Sequence, residues 1–279
     1  MADAKRRVAS NVEGDFFVDT SCINCGVSRD YAAKTFGDDG THAFVKEQPS
    51  SEQDILAAQL ALLACPVAAI GTLKKQNLSL ARRSFPFALA DNVFVNRYND
   101  QSSFGAHSYF IRGDNENWMV DAPRFTKHLA SNMESMGGLD YIFLTHRDDV
   151  SDAHKYAAHF GAERVIHEFE SAAQPDAEII LEGEADHDVG GARILFTPGH
   201  TKGHMVLLWR GDYLFVGDHF ASATYCWHSW DAQIKSTKKL GALAEVDWVF
   251  PGHGKWISVA RGGFPKFIQQ RVAKMMANR

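Results

Sequence analysis

Three stretches of this 279-residue chain share one grammar: an apolar run, a glycine, and then a side chain able to bind a metal ion. Thr197-Pro198-Gly199-His200-Thr201-Lys202-Gly203-His204 follows the run Ala192–Phe196. Asp218 follows Tyr213-Leu214-Phe215-Val216-Gly217, and His253 follows Val249-Phe250-Pro251-Gly252. A further histidine, His146, ends the apolar run Tyr141–Thr145. Neutral imidazole and carboxylate are suitable ligands for zinc or iron, and a carboxylate can bridge two ions. A histidine in one loop alone usually makes a structural hydrogen bond. Several such loops in this order point instead to a metal centre on His146, His200, Asp218 and His253.

Loops can aim side chains at one point only if strands deliver them to one edge. Alternating or continuous apolar runs predict strands at 92–96, 108–111, 118–121, 141–145, 164–167, 192–196, 205–209, 213–216 and 248–250. Helices are expected over 125–136, stopped by Gly137-Gly138, and over 151–160 and 231–243. Before residue 75 the grammar differs. Short strands are expected at 16–18 and 43–45, a turn at 37–40, and a helix opening at Ser51. Polar Lys74-Lys75-Gln76-Asn77 is the expected linker. Strands outnumber helices after it, which suits a sheet-on-sheet core with helices outside and a site made of loops.

From Phe85 to Gly254 the chain resembles the metallo-β-lactamase superfamily, which includes glyoxalase II-type thioesterases, lactonases, nucleases and flavodiiron proteins. The likeness rests on Trp118-Met119-Val120-Asp121, on Thr197–His204, on Gly217-Asp218 and on Gly252-His253-Gly254. The family's Thr-His-x-His-x-Asp-His motif is altered to Thr145-His146-Arg147-Asp148-Asp149-Val150-Ser151. The resemblance implies that Asp148 takes the second His position, and that Asp152 and His154 serve in a lengthened loop. Asp148 and Asp149 could instead cap the following helix. The implied metal set is then His146, Asp148, Asp152, His154, His200, Asp218 and His253, holding one or two zinc or iron ions, one more tightly than the other. In hydrolytic members a metal-activated water attacks an ester, thioester, lactone or phosphodiester. Asp148 and Asp218 would position that water, and His204 or a nearby donor would steady the oxyanion, although His204 reads as a supporting residue rather than a ligand. His167 and His219 read as supporting residues.

Cys22-Ile23-Asn24-Cys25, with Cys65-Pro66 after a helix, resembles a single-cluster bacterial-type ferredoxin over residues 14–72. Ser28 stands where the third cysteine belongs. The resemblance implies an iron–sulfur cluster on Cys22, Cys25 and Cys65; the alternative is a ferredoxin-like cap that has lost its cluster. Cys226, in Thr224-Tyr225-Cys226-Trp227, reads as a packed thiol.

The expected class is therefore α+β in two domains: a small ferredoxin-like domain (1–78) and an αβ/βα metallo-β-lactamase sandwich (79–279). A formal net charge of −5 argues against a nucleic-acid binder, and the basic ends (Lys5-Arg6-Arg7; Lys266, Arg271, Lys274, Arg279) read as solvated termini. The apolar run 55–70 is interrupted by Gln59, Cys65 and Pro66, so no membrane span is expected. No secretory signal is visible, and a cytoplasmic location is expected. The expected function is a metal-dependent hydrolase of a small-molecule substrate. Its rivals are an iron-dependent oxidoreductase with a redox partner, fed by the cluster, and a non-catalytic scaffold.

Overall fold

The computed structural model describes residues 2–220 and 226–277. Thr224 and Tyr225 of the aromatic stretch and Arg279 of the basic tail lie outside these.

The N-terminal part is built from two small antiparallel pairs. Strand β1 (Phe16–Val18) pairs with β4 (Ile70–Thr72), and β2 (Phe36–Asp38) pairs with β3 (Ala43–Val45). Helices α1 (Val27–Ala32) and α2 (Glu52–Ala64) pack against each other beside them. Ser51 caps α2 by accepting the Asp54 N–H. The stretch 37–40, expected as a turn, gives its first two residues to β2 and turns only afterwards, because Phe36 is buried and draws the chain into the pairing. The expected linker is pinned: Asp15 accepts N–H bonds from Lys74 and from the Gln76 amide.

Beyond the short helix α3 (Ser79–Arg83), two sheets face each other. One has the order β11-β10-β9-β8-β7-β6-β5, drawn from β5 (Phe87–Ala90), β6 (Val93–Val95), β7 (Tyr109–Arg112), β8 (Asn117–Val120), β9 (Tyr141–Phe143), β10 (Glu163–His167) and β11 (Ile179–Leu181). The other runs β12 to β17 in sequence order: β12 (His187–Val189), β13 (Ala192–Phe196), β14 (Met205–Trp209), β15 (Tyr213–Gly217), β16 (Trp248–Pro251) and β17 (Ile257–Ser258). Alternation along the strands sorts side chains by layer. Tyr109, Ile111, Trp118, Val120 and Phe143 meet Ile194, Met205, Leu207, Phe215 and Phe250 between the sheets. Phe110, Met119 and Ile142 point the other way, onto α4 (Lys127–Ser135) and α5 (Ala153–Phe160). On the opposite face Val206, Leu208, Leu214 and Val216 are covered by α6 (Trp230–Leu240) and α7 (Phe264–Ala277). The result is a four-layer sandwich.

Direction decides where the loops go. Strands β13 and β14, and β14 and β15, pair antiparallel, whereas β15 and β16 pair parallel. The C-terminal ends of β13, β15 and β16 therefore lie at one edge of the sheet. The end of β9 meets that edge, since the Met205 N–H bonds to the Thr145 carbonyl at 3.0 Å.

The tail differs from a solvated terminus. Phe264, Ile268, Val272 and Met275 are buried along one face of α7, and Lys266, Arg271 and Lys274 occupy the rest of the helix. Phe264 has no exposed surface. Replacing it with Ala should destabilise the protein by about 3–5 kcal/mol. Denaturant unfolding checks this; a change under about 1 kcal/mol, the cost of a surface substitution, would show that α7 does not complete the sandwich.

Candidate metal centre

Each strand end contributes by a local device. After β9, Thr145 is clamped: its N–H and hydroxyl both bond to the carboxylate of Asp121, at 2.8 and 3.0 Å, and its hydroxyl lies 3.0 Å from His146 Nδ1. This turns His146 Nε2 toward the loops. One 3-10 turn, Arg147–Asp149, follows before α5 begins. After β13 the His200 loop is held by the Gly203 N–H on Glu170 (2.7 Å), by the Cys226 thiol donating to the Gly199 carbonyl (3.0 Å), and by the Trp227 N–H on the His200 carbonyl (3.1 Å). The loops after β15 and β16 are tied by the Gly252 N–H on the Gly217 carbonyl, at 2.7 Å. Gly252 is needed there, because a Cβ would lie 2.5 Å from Asp218 Oδ1 and 3.2 Å from Asp149 Oδ2.

These devices converge. The Nε2 atoms of His253, His200 and His146 lie 3.5, 3.7 and 3.9 Å from one atom, Asp218 Oδ2. Asp148 Oδ2 is 3.7 Å from His146 Nε2. Potential ligand atoms of His146, Asp148 and His200 lie within 4.8 Å of one another, as do those of His146, Asp149 and Asp218. Two ligands on one ion with ~2.0–2.1 Å bonds are themselves about 3.4 Å apart, so this spacing fits shared coordination better than direct hydrogen bonding. The unpartnered atoms agree: His146 Nε2, His200 Nε2, Asp218 Oδ1 and Asp149 Oδ2 are buried without a hydrogen-bond partner. Buried polar atoms ordinarily have partners, and a cation would supply one to all four.

Burial keeps His146 neutral, its pKa pushed down to about 3, and lowers that of His200 as well. Burial also raises the carboxyl of Asp148, and raises Asp149 far above its usual range with help from Asp218. Asp121 is pushed up to about 8.

The structure does not bring Asp152 or His154 to this cluster. Asp152 accepts the Phe125 N–H at 2.8 Å and pairs with Lys155, and His154 is exposed on α5. Asp149, two per cent exposed, stands where those two were expected. It was visible only as one of two adjacent acids that could equally cap a helix. His204 is buried behind His146, with ring centroids 5.4 Å apart, and has no exposed surface from which to steady an oxyanion in the cleft. His219 bonds to Thr237 and His167 to the Gly183 carbonyl, as supporting residues do. Sequence reading passed over Glu170, which fixes the His200 loop.

In the N-terminal part, Cys22, Cys25, Cys65 and Ser28 line one small cavity. Backbone amides point at the sulfurs: Asn24 and Ala43 N–H at Cys22 Sγ (3.4 Å each) and Ala69 N–H at Cys65 Sγ (3.2 Å). Such N–H···S bonds suit cluster thiolates, so three of the four ligand positions of a cubane fit the residues present.

Among solved structures, the chain superposes on the DIM-1 metallo-β-lactamase with a TM-score of 0.56, covering 69% of this chain and 96% of that one at 16% identity. A metallo-β-lactamase from Hirschia baltica gives 0.53, over 67% and 95% at 15% identity. The sandwich has the metallo-β-lactamase fold. Residues 18–72 match the 4Fe-4S single cluster domain of Ferredoxin I. Among curated proteins, a hydroxyacylglutathione hydrolase of Acidiphilium cryptum (strain JF-5) is 32% identical over 143 residues, 46% of this chain and 56% of that one. A second, from Actinobacillus pleuropneumoniae serotype 5b (strain L20), is 26% identical over 51% of this chain and 63% of its own length. The chain thus spans little more than half the length of the curated relatives it matches. Within this metallo-β-lactamase fold no described helix is long and apolar enough to cross a membrane.

Two predictions follow from the geometry. Gly252→Ala should push Asp218 aside, lowering metal affinity and costing about 1–3 kcal/mol of stability; unchanged affinity in a metal titration would refute the close approach. The second concerns acid. Burial lowers His219 from 6.5 to about 3, so between those values the unfolded chain binds the extra proton. Its contribution is complete above pH ~6.5 and lost as pH falls toward ~3. The metal-free His219→Gln variant should therefore lose stability less steeply across that window than the parent, and equal slopes would sink the argument.

Proposed function

We propose that the chain is a metal-dependent hydrolase whose centre is held by His146, Asp148, Asp149, His200, Asp218 and His253. The convergence of three imidazole Nε2 atoms on Asp218 Oδ2, with buried atoms lacking partners around it, carries this reading. The potential ligand atoms fall on two overlapping sides that have His146 in common: His146, Asp148 and His200 on one, and His146, Asp149 and Asp218 on the other, with His253 Nε2 3.5 Å from Asp218 Oδ2. Asp149 supplies the second side with the carboxylate expected from Asp152, so this reading favours two ions over one. Zinc and iron both suit the imidazoles, and the three carboxylates favour the harder iron.

A divalent ion here supplies Lewis acidity and lowers the pKa of the water it holds. The residues do the rest. Asp148 is half-exposed at the cleft wall, and burial raises its carboxyl, so the oxygen not given to the ion would take a proton from water and return it to a leaving group. Asp218 and the three histidines fix the geometry. The cleft, about 480 Å³ and open to solvent, is also lined by Phe104, Trp227, Ser102 and Ser103. The aromatic rings can cover the apolar part of a substrate and the hydroxyls can meet its polar part. We infer an acyl thioester such as a hydroxyacylglutathione as the substrate class, on the likeness to the two hydrolases. The division at 78/79 is part of this reading, supported by the confinement of both large sheets to residues after 86.

The test uses the full chain, stripped with chelator and resupplied with Zn²⁺, Fe²⁺ or Mn²⁺, on a hydroxyacylglutathione, a lactone and a phosphodiester. Thioester turnover is expected only with metal. His200→Ala should lose at least about 100-fold, since even outer residues around a metal cost 10–100-fold. His154→Ala should keep full activity. No hydrolysis with any ion, or equal losses in both variants, would overturn the assignment.

A further inference from the structure

The cysteine cavity and the metal cleft share a wall. Cys25 lines the small cavity with Cys22, Cys65 and Ser28, and it also lines the cleft with His200, Asp218 and His253. The Ser102–Gly105 segment stands beside it. Gly105 approaches so closely that a Cβ there would lie 3.0 Å from Cys25 Sγ and 3.2 Å from Pro66 Cγ. Its neighbour Phe104 has its ring centroid 6.1 Å from that of His253.

A second connection is rigid and buried. Helix α1, which carries Ser28, also carries Asp30, whose carboxylate lies 3.1 Å from His107 Nε2. The His107 N–H bonds to the Gly252 carbonyl at 2.6 Å, one residue before His253. Arg124, on the sandwich side, reaches the Cys65 carbonyl at 3.5 Å. The cysteine loop and the metal loops are thus packed against each other, with Cys25 lining both cavities.

We propose that Cys25 is a shared wall through which a cluster in the three-thiol cradle is in electronic contact with the ion in the cleft, so that the two form a one-electron relay. The inference rests on the metal-centre reading above. The balance is simple. A reduced donor of the flavin or ferredoxin class gives one electron to the oxidised cluster. A cluster held by Cys22, Cys25 and Cys65 would return to its oxidised form on passing that electron to a ferric ion held by the cleft residues, leaving that ion ferrous; no bond or proton would move. Iron suits a set of three imidazoles and three carboxylates. The relay adds a redox activity, or redox control of hydrolysis, to the same site.

The test is spectroscopic. The full chain is reconstituted anaerobically with iron and sulfide, treated with chelator to clear the cleft, and loaded with Co²⁺ or with Zn²⁺. The dithionite-reduced cluster signal is then followed by electron paramagnetic resonance power saturation. Paramagnetic Co²⁺ should make the cluster several-fold harder to saturate than diamagnetic Zn²⁺ does, and the difference should vanish in His200→Ala. Gly105→Ala, outside both ligand sets, should lose cluster signal while its Co²⁺ optical bands remain. Equal saturation with the two ions while the Co²⁺ bands show a filled cleft would overturn the relay and leave the hydrolase intact. Failure of a cluster to form would overturn it too, as would full cluster signal in Gly105→Ala. Absence of Co²⁺ bands in the parent would overturn the metal centre itself.

Discussion

Four carboxylates gather around three imidazoles at the floor of an open cleft, and the rest of the structure answers to that electrostatic problem. Asp121 and Asp149 are buried, Asp218 is nearly so, and Asp148 closes the group from the cleft. Charges of one sign in a low-dielectric setting cannot all ionise without a partner. Burial, with the Asp218 charge nearby, raises the carboxyls of Asp121 and Asp149 and so favours their protonated forms when no cation is present. A cation answers better, since it also gives ligands to the unpartnered nitrogens and oxygens around it. Ion binding is then partly folding energy, because the ordered cluster exists only in the folded chain.

Holding such a cluster requires a scaffold stable without it. The sandwich provides one through three apolar layers, each fed by strand alternation, and leaves the strand ends free to carry polar loops. Parallel pairing of β15 with β16 sets Asp218 and His253 side by side, and the Asp121–Thr145 clamp fixes the end of β9 against them. Gly217 and Gly252 let these backbones approach to a distance no side chain would allow. The site's accuracy thus comes from sheet topology and glycine contacts more than from the loops' own stability.

Much of this was legible because periodicity is a local property. Strands β13 to β16 and helices α2, α4 and α5 fall within a few residues of where the apolar pattern puts them. The short strands β12 and β17 carry one apolar residue each, and β11, though wholly apolar, is only three residues long, so a period of two does not register in any of them. Helix α7 did carry its signal, in Phe264, Ile268, Val272 and Met275 at helical spacing, beneath conspicuous basic residues. In the altered motif the legible part was that the loop is rich in acids. Which acid turns inward was not, because it depends on where α5 starts. The intervening 3-10 turn, and Ser151 at a φ of 29°, delay the helix to Ala153. That leaves Asp149 facing the cluster and Asp152 bonding back to Phe125.

The N-terminal part shows why a lost ligand need not mean a lost site. The cradle's amides are aimed by backbone turns at Asn24, Gly26 and Ala68, all at positive φ, and none of these turns depends on a thiol at position 28. Burial pushes Cys25 up to about 12 and raises Cys65, so in the absence of metal these are protonated thiols in a small apolar cavity. Binding iron would displace those protons and turn the same amides onto thiolates, which raises rather than removes their value. A domain kept only as a cap would need no such arrangement of N–H···S bonds. Nor would it need Asp30 paired with His107 in the interior, where a charged group is costly unless matched. Both features make sense if the cradle and the metal loops must keep a fixed spacing, since the first sets the sulfurs and the second holds them against the loop that carries His253.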